Sequence, residues 1–286
     1  MKFKQVDVFT KLPFLGNPVA VVIGADGLDT EAMQRIARWT NLSETTFLEK
    51  SERADYRVRI FTPLAELPFA GHPTLGTAHA ALESGFVSSK SKLTQECKAG
   101  IIDLSVEDGR IFLKGPPAKI APWKGEAGAK LVGEGARVDV GPVWLVGEMA
   151  DANALAGYAP DLASIARLSL DAKATGLTLF AKAGDGIAAL HLRTFAPAHG
   201  IAEDPVCGSC NVAVAAFLHE KNLLEKFGNP YVARQGMQLG RDGRIYVRVE
   251  AGAVWVGGDC VTCIEGELKS GSGTDFPELC AAEIGT

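Results

Sequence analysis

The sequence predicts an α+β protein of two related domains, each a β-sheet wrapped around a central helix, with a pseudo-twofold axis between them. The first observation is a repeat: RIFTPLAELPFAGHPTLGTAHAAL, from Arg59, returns in altered form as RTFAPAHGIAEDPVCGSCNVAVAAFL, from Arg193. The second is that shorter matches, such as QVDV and RVDV, precede the two segments in the same order. Because an ordered repeat indicates a duplicated unit, we place an N-terminal domain at 1–118 and a C-terminal domain at 119–286, whose last residues are free to pack back on the first.

Each copy has the order strand, helix, strand pair, turn, helix. In the first copy AVVI and TTFLE are short runs of β-favouring residues, and TEAMQRIARWT between them places Met33, Ile36 and Ala37 at helical spacing. Each copy then ends in a segment that is apolar on nearly all sides, GHPTLGTAHAALES and GSCNVAVAAFLHE. Such a helix is buried, so these segments are the predicted central helices. Between the copies, the Gly-, Pro- and Ala-rich residues 114–136 predict a linker or a long crossing loop.

Two similar domains that face each other leave one cleft, and a ligand is expected there. The predicted central helices would direct their N-termini, at Gly71 and His72 and at Gly208 and Ser209, toward this cleft. Helix N-termini present free N–H groups and a positive dipole end, which suit a carboxylate or a phosphate. Glycine at 71 and 208 lets the backbone approach the ligand closely. We therefore expect a small anionic molecule as the ligand.

Composition excludes several classes of protein. The net charge is −5, and no run rich in Lys and Arg indicates contact with nucleic acid or with a membrane surface. The first ten residues lack the apolar core of a signal peptide, and the longest apolar run, VAVAAFL, is too short to span a bilayer. We therefore expect a cytoplasmic protein whose partners are a small molecule and a second copy of the chain, in a homodimer.

Two Cys-x-x-Cys spacings, Cys207 to Cys210 and Cys260 to Cys263, raise the alternatives of a zinc site and of a redox pair. Zinc is disfavoured because the second pair lies in a strand-like segment, where residues three apart point to opposite faces. A thioredoxin-like pair is expected after the first strand of a βαβ unit, and the first pair does not follow such a unit. A redox-active protein is thus kept only as an alternative.

Four spaced motifs, GNPVAVV, NLSETTF, FAGHPTLG and EDPVCGS, resemble those of the phenazine-biosynthesis PhzF-like isomerases over nearly the whole chain. The resemblance implies the diaminopimelate epimerase-like fold, with two related α+β domains and the active site between them. It also implies that Glu44 is the acid/base that moves a proton, with His72, Asp204 and Ser209 completing the site around a carboxylate-bearing cyclic substrate. The reaction of the family implies neither a cofactor nor a metal.

The chemistry fits these residue types, because removing a proton from carbon needs a positioned base and donors that hold the developing charge. Glu44 stands among small hydroxyl residues with no basic neighbour in sequence, so we expect the substrate to be its partner. The two cysteines of true epimerases of this fold correspond here to Ala70 and Cys207, and alanine carries no proton. Cys207, at a helix start beside Gly208, is expected to have a lowered pKa and to contact the substrate. Two alternatives stay open: an epimerase that uses Cys207 with Glu44, and a binding protein without catalysis.

Overall fold

The duplicated sequence folds into two halves with the same order of elements. The computed structural model describes residues 1–123 and 135–269, and the structural statements below concern these residues. Helices α1 (Thr30–Thr40) and α2 (Gly71–Glu83) belong to the first half. The strands of the first half are β1 (Lys2–Val8), β2 (Asn17–Ile23), β3 (Thr45–Glu49), β4 (Tyr56–Phe61), β5 (Glu66–Leu67), β6 (Lys92–Cys97), β7 (Gly100–Glu107), β8 (Arg110–Lys114) and β9 (Lys119–Pro122).

The second half repeats this order with more helical segments. Its helices are α3 (Ala152–Gly157), α4 (Leu162–Asp171), α5 (Gly208–Glu220) and α6 (Leu224–Phe227), and two short 3₁₀ helices lie at Pro197–His199 and Met237–Leu239. Its strands are β10 (Gly135–Asp139), β11 (Val143–Glu148), β12 (Gly176–Lys182), β13 (Leu190–Ala196), β14 (Ile201–Asp204), β15 (Tyr231–Gln235), β16 (Gly243–Glu250), β17 (Ala253–Gly258) and β18 (Cys260–Glu267).

The strand pairings recur as well. In the first half β2 is parallel to β3 and β4 is parallel to β6. The second half repeats both arrangements, with β11 parallel to β12 and β13 parallel to β15. The first strand of each half pairs antiparallel with the second, β1 with β2 and β10 with β11. The predicted α+β class is confirmed, and the duplication seen in the sequence is also present in the sheet.

The last strand of each half pairs with the other half. Strand β9 is antiparallel to β10, from Lys119 opposite Asp139 to Pro122 opposite Ala136. Strand β18 is antiparallel to β1 along the whole length of β1. Strands β8 and β17 also pair with each other. The prediction of a linker or loop over 114–136 is therefore wrong for 119–122, because these residues find a ladder partner in β10; residues 124–134 lie outside the described residues.

The two predicted central helices are confirmed. Helix α2 has nine buried residues and α5 has ten, so both are enclosed on nearly all sides. Small side chains let the sheet approach: a Cβ added at Gly76 of α2 would lie only 2.3 Å from Val19 Cγ1 of β2. Helix α2 packs on β1, β2 and β8 of its own half and also on β18. The helix of the first half is thus enclosed in part by the last strand of the second.

A buried ion pair ties these elements together. Lys4 on β1 is 2% exposed, and its Nζ lies 2.8 Å from Glu83 Oε2 at the end of α2 and 3.1 Å from Glu265 Oε1 on β18. Burial alone lowers the pKa of Lys4, but the hydrogen bonds of the two carboxylates outweigh it and raise the pKa. Thr262 on β18 donates a hydrogen bond to the same Glu83. Because the lysine is buried while Glu83 and Glu265 reach solvent, the pair links β18 to β1 and α2 at the edge of the first half's core.

Helix α1 occupies the segment in which the helical spacing was found, residues 30–40. Asp29 caps its N-terminus, because the Asp29 side chain accepts a hydrogen bond from Ala32 N at 2.7 Å. The helix buries Met33 and Ala37 and leaves its other face to solvent. In the part of the chain that the structure describes, no helix is both long and apolar enough to cross a membrane.

Candidate active site

Glu44 and His72 meet at the end of the first half's sheet. Glu44 immediately precedes β3, and His72 lies in the first turn of α2. Their Oε2 and Nε2 atoms are 3.4 Å apart, and both atoms are buried without a hydrogen-bond partner in the described protein. The fold places His72 beside Glu44, a neighbour that the sequence around Glu44 does not show. Both side chains nevertheless keep hydrogen-bonding capacity for a ligand.

Asp204 brings a third titratable group from the second half. It ends β14, and its carboxyl is surrounded by protein although the residue as a whole is only partly buried. Burial raises the pKa of Asp204 from 3.8 to about 6; the charge of His72 opposes this rise and that of Glu44 adds to it. The charges of Glu44 and His72 act on Asp204, and Asn17 of the first half contacts its Oδ1 directly at 3.3 Å, so Asp204 lies at the junction of the two halves.

Ser209 lies in the first turn of α5, where Trp144 holds it. Trp144 Nε1, from β11, donates to Ser209 Oγ at 3.1 Å, and Cys207 Sγ lies 3.4 Å from the same hydroxyl. The residue that caps α5 is Cys207, whose Sγ accepts from Cys210 N at 3.4 Å. Ser209 is thus the second residue of the helix, and its hydroxyl is oriented by the Trp144 side chain.

Cys207 departs from the sequence-based expectation. It caps α5 where Ala70 caps α2, so the correspondence of these positions is confirmed. Its pKa is raised, not lowered: the neighbouring Cys210 thiol is the first cause and burial the second. The thiol is also 7% exposed. The prediction of a thiolate favoured by the helix dipole is therefore wrong, because burial and a second thiol outweigh the dipole.

The glycines at the two helix starts are not required by backbone conformation, because neither has a positive φ. A Cβ added at Gly71 would meet only Leu113 Cδ2, at 3.8 Å, and one at Gly208 would first meet Phe9 Cζ, at 3.4 Å. The close approach of a ligand to these two glycines stays a prediction.

Sequence reasoning missed three residues that hold this site. Asn17 and Gln235 donate to the turn after β14, and Trp144 orients Ser209. Asn17 belongs to the GNPVAVV motif, so attention to that motif could have found it. The other two carry no local signal, because only the folded sheet brings β15 and β11 to the start of α5.

The Asp204→Asn variant is expected to melt about 3–6 °C higher than wild type at pH 8 and at the same temperature at pH 4. A carboxyl whose pKa is raised from 3.8 to about 6 on folding stabilises the protein fully below about pH 3.8, and this contribution is lost as pH rises through about 6. At pH 8 the wild-type fold therefore holds a buried charge that asparagine removes, while the amide oxygen still accepts from Val206 N. Scanning calorimetry at both pH values measures this, and an equal shift at both would contradict it.

The two duplicated halves thus bring Glu44, His72 and Asp204 and the starts of two buried helices to one region of the fold. The family model for phenazine biosynthesis-like proteins matches residues 6–116 and 124–266. The chain belongs to this family.

Individual relatives cover nearly the whole chain. Antisense-enhancing sequence 1 of Schizosaccharomyces pombe is 38% identical in an alignment of 291 positions that covers 93% of this chain and 97% of that protein. The trans-2,3-dihydro-3-hydroxyanthranilate isomerase of Pseudomonas aeruginosa is 34% identical in an alignment of 290 positions that covers 97% of this chain and 98% of that enzyme. The crystal structure of a PhzF-family phenazine biosynthesis protein of Bacillus anthracis has a TM-score of 0.84 at 27% identity and covers 94% and 99% of the two chains. The family resemblance and the isomerase class are confirmed.

Proposed function

We propose that this protein is a cofactor-independent isomerase that moves a proton on a small, carboxylate-bearing, cyclic substrate bound between its two halves. The observation that supports it most strongly is the meeting of Glu44 and His72 from the first half with Asp204 from the second. Two acids with different environments and one imidazole in a single cleft are the groups that proton transfer to and from carbon requires.

In this proposal Glu44 takes the proton from a substrate carbon and returns it to another carbon. Its unpartnered Oε2 is the atom that accepts the proton, and the neighbouring His72 Nε2 is 3.4 Å away. The proton leaves one C–H bond and forms another, so no net proton is gained or lost. A base that serves both steps must reach both carbons, which a substrate held rigidly between two helix starts allows.

Asp204 and the helix N-termini stabilise the charge that develops. The pKa of Asp204, about 6, keeps both of its protonation states accessible near neutral pH. The starts of α2 and α5 offer N–H groups that no side chain other than Cys207 caps, and they suit the substrate carboxylate. Ser209 Oγ adds a donor at the start of α5.

We do not extend the proposal to an epimerase that uses Cys207. The pKa of its thiol is raised and its counterpart in the repeat is Ala70, so neither side of the cleft presents a thiolate. A binding protein without catalysis would have no need for Asp204 to keep a buried, titrating carboxyl opposite Glu44.

The proposal is tested with trans-2,3-dihydro-3-hydroxyanthranilate, the compound that names the Pseudomonas aeruginosa relative, and with a panel of other cyclic carboxylates in deuterated water. Proton NMR follows both isomerisation and exchange of C–H for C–D at the carbons beside the carboxylate. We expect at least one compound to isomerise or to exchange, with no cofactor added. Binding of several compounds without any exchange would contradict the proposal and favour the binding protein.

A further inference from the structure

Asn17, in the GNPVAVV motif, reaches across the cleft to the turn that carries Asp204. It begins β2 in the first half and is 4% exposed. Its Nδ2 donates to Val206 O at 2.9 Å and to Asp204 Oδ1 at 3.3 Å, both in the second half. Because both neighbours of Nδ2 are acceptors, the orientation of the amide is fixed by its surroundings.

The preceding glycine explains how Asn17 comes to this place. A Cβ at Gly16 would lie 2.2 Å from Val8 O, so only glycine lets the chain turn back so close to β1. Gly16 N also donates to the buried Asp7 Oδ2 at 3.0 Å. Asn17 then pairs with Val8 at the first position of the β1–β2 ladder. The motif thus fixes the backbone at Asn17, so that the Asn17 side-chain amide is directed toward the second half.

The two oxygens of Asp204 are not equivalent in this arrangement. Oδ1 accepts from Val206 N at 3.1 Å as well as from Asn17 Nδ2. An oxygen that accepts two N–H groups is the one on which a proton is disfavoured, since the proton would compete with those donors. The acid proton of Asp204 therefore belongs on Oδ2. The titratable groups around this carboxyl are Glu44 and His72 from the first half and the Cys207 thiol from its own half.

A second buried amide holds the main chain of the same turn from within the second half. Gln235, at the end of β15, donates from Nε2 to Asp204 O at 3.0 Å and accepts at Oε1 from Cys207 N at 3.2 Å. Its side chain is fully buried. Gln235 therefore fixes the main chain at Asp204 and Cys207, while Asn17 adds a bond to Val206 O and a donor to the carboxyl itself.

We propose that Asn17 is a positioning residue that makes Oδ2 the proton-carrying oxygen of Asp204 and favours its ionised form from the opposite side of the cleft. The catalytic role of Asn17 rests on the proposed function. Its effect on the titration of Asp204 does not, because that titration can be measured without a substrate.

The test is a direct titration of Asp204 by NMR in protein labelled with ¹³C at the aspartate carboxyls. The signal absent from Asp204→Asn identifies the residue. In Asn17→Ala we expect the pKa of Asp204 to rise by about half a unit to one unit, because the ionised carboxylate loses a donor. The Asn17→Ser variant, which keeps one donor, should show a smaller rise. With a substrate in hand, Asn17→Ala should lower kcat about tenfold with KM within about threefold, and shift the pH profile of kcat upward.

Gln34→Ala is the matched control. Gln34 lies on α1 outside the cleft, and its amide also donates to a main-chain carbonyl, Thr62 O, at 2.9 Å. It should leave the Asp204 titration unchanged. A titration that moves by less than about 0.2 units in Asn17→Ala would overturn the proposal, even if kcat fell. Failure of both Asn17 variants to fold would also overturn it, by making Asn17 a determinant of the fold. Because the titration needs no substrate, absence of isomerase activity would count against the proposed function alone.

Discussion

Turnover by the Glu44→Gln variant is expected to fall by about 10²–10⁴, while the affinity for the same ligand stays within about tenfold. Glutamine has nearly the shape of glutamate and can still hydrogen-bond to the ligand, but it cannot take a proton from carbon. The variant should also stop solvent exchange at the reacting carbon. Steady-state kinetics and calorimetric titration separate these two effects, since a positioned base acts on kcat and a binding group on Kd.

Glu49→Gln is the control for this loss. Glu49 lies on the same strand, β3, is 9% exposed and sits 3.4 Å from Arg57 on β4, at the other end of the strand from Glu44. Replacing it removes a buried carboxylate without touching the cleft, so kcat should stay within about threefold. If Glu44→Gln lost no more activity than Glu49→Gln, Glu44 would have no place in the mechanism.

A chain that ends after Asp259 is expected to lose cooperative folding of the first half. Without β18, β1 exposes its unpaired edge, the central helix α2 loses part of its cover, and Lys4 keeps only one of its two carboxylates. The loss of Glu265, which is largely exposed, costs at most about 1 kcal/mol, so the unpaired edge of β1 and the uncovered side of α2 carry most of the effect. Thermal melting followed by circular dichroism should show a smaller and broader transition than that of a reference chain ending after Lys269.

Adding back the strand provides the decisive comparison. A synthetic peptide of residues 259–269 should restore the transition of the truncated chain, and a peptide in which Glu265 is replaced by Lys should restore it less well, because it opposes Lys4. An unchanged melting curve in the truncated chain would show that β18 contributes nothing essential to the first half, contrary to the ladder and the ion pair.

The spacing of apolar residues along the sequence predicted the helices, because this spacing determines which face of a helix is buried. The bounds of α1 follow from its amphipathic spacing, and both central helices from segments that are apolar on all sides. The pairing of β9 with β10 was missed, and the return of the chain's last part to the first domain was expected without a partner strand, because a strand pattern says that residues are extended but not which edge they join. The motifs supplied the proposed site residues, whereas the nearness of Glu44 to His72 and the raised pKa of Cys207 depend on contacts and burial that only the folded chain creates.

The mutual exchange of last strands has a consequence for the origin of the molecule. A one-copy chain with this topology would have β2 on one edge of β1 and no strand of its own for the other edge, so two such chains would complete each other only as a swapped dimer. Two copies in one chain make that exchange intramolecular and independent of protein concentration. They also let the two sides of the site carry different residues, as Ala70 and Cys207 do at the starts of the two central helices.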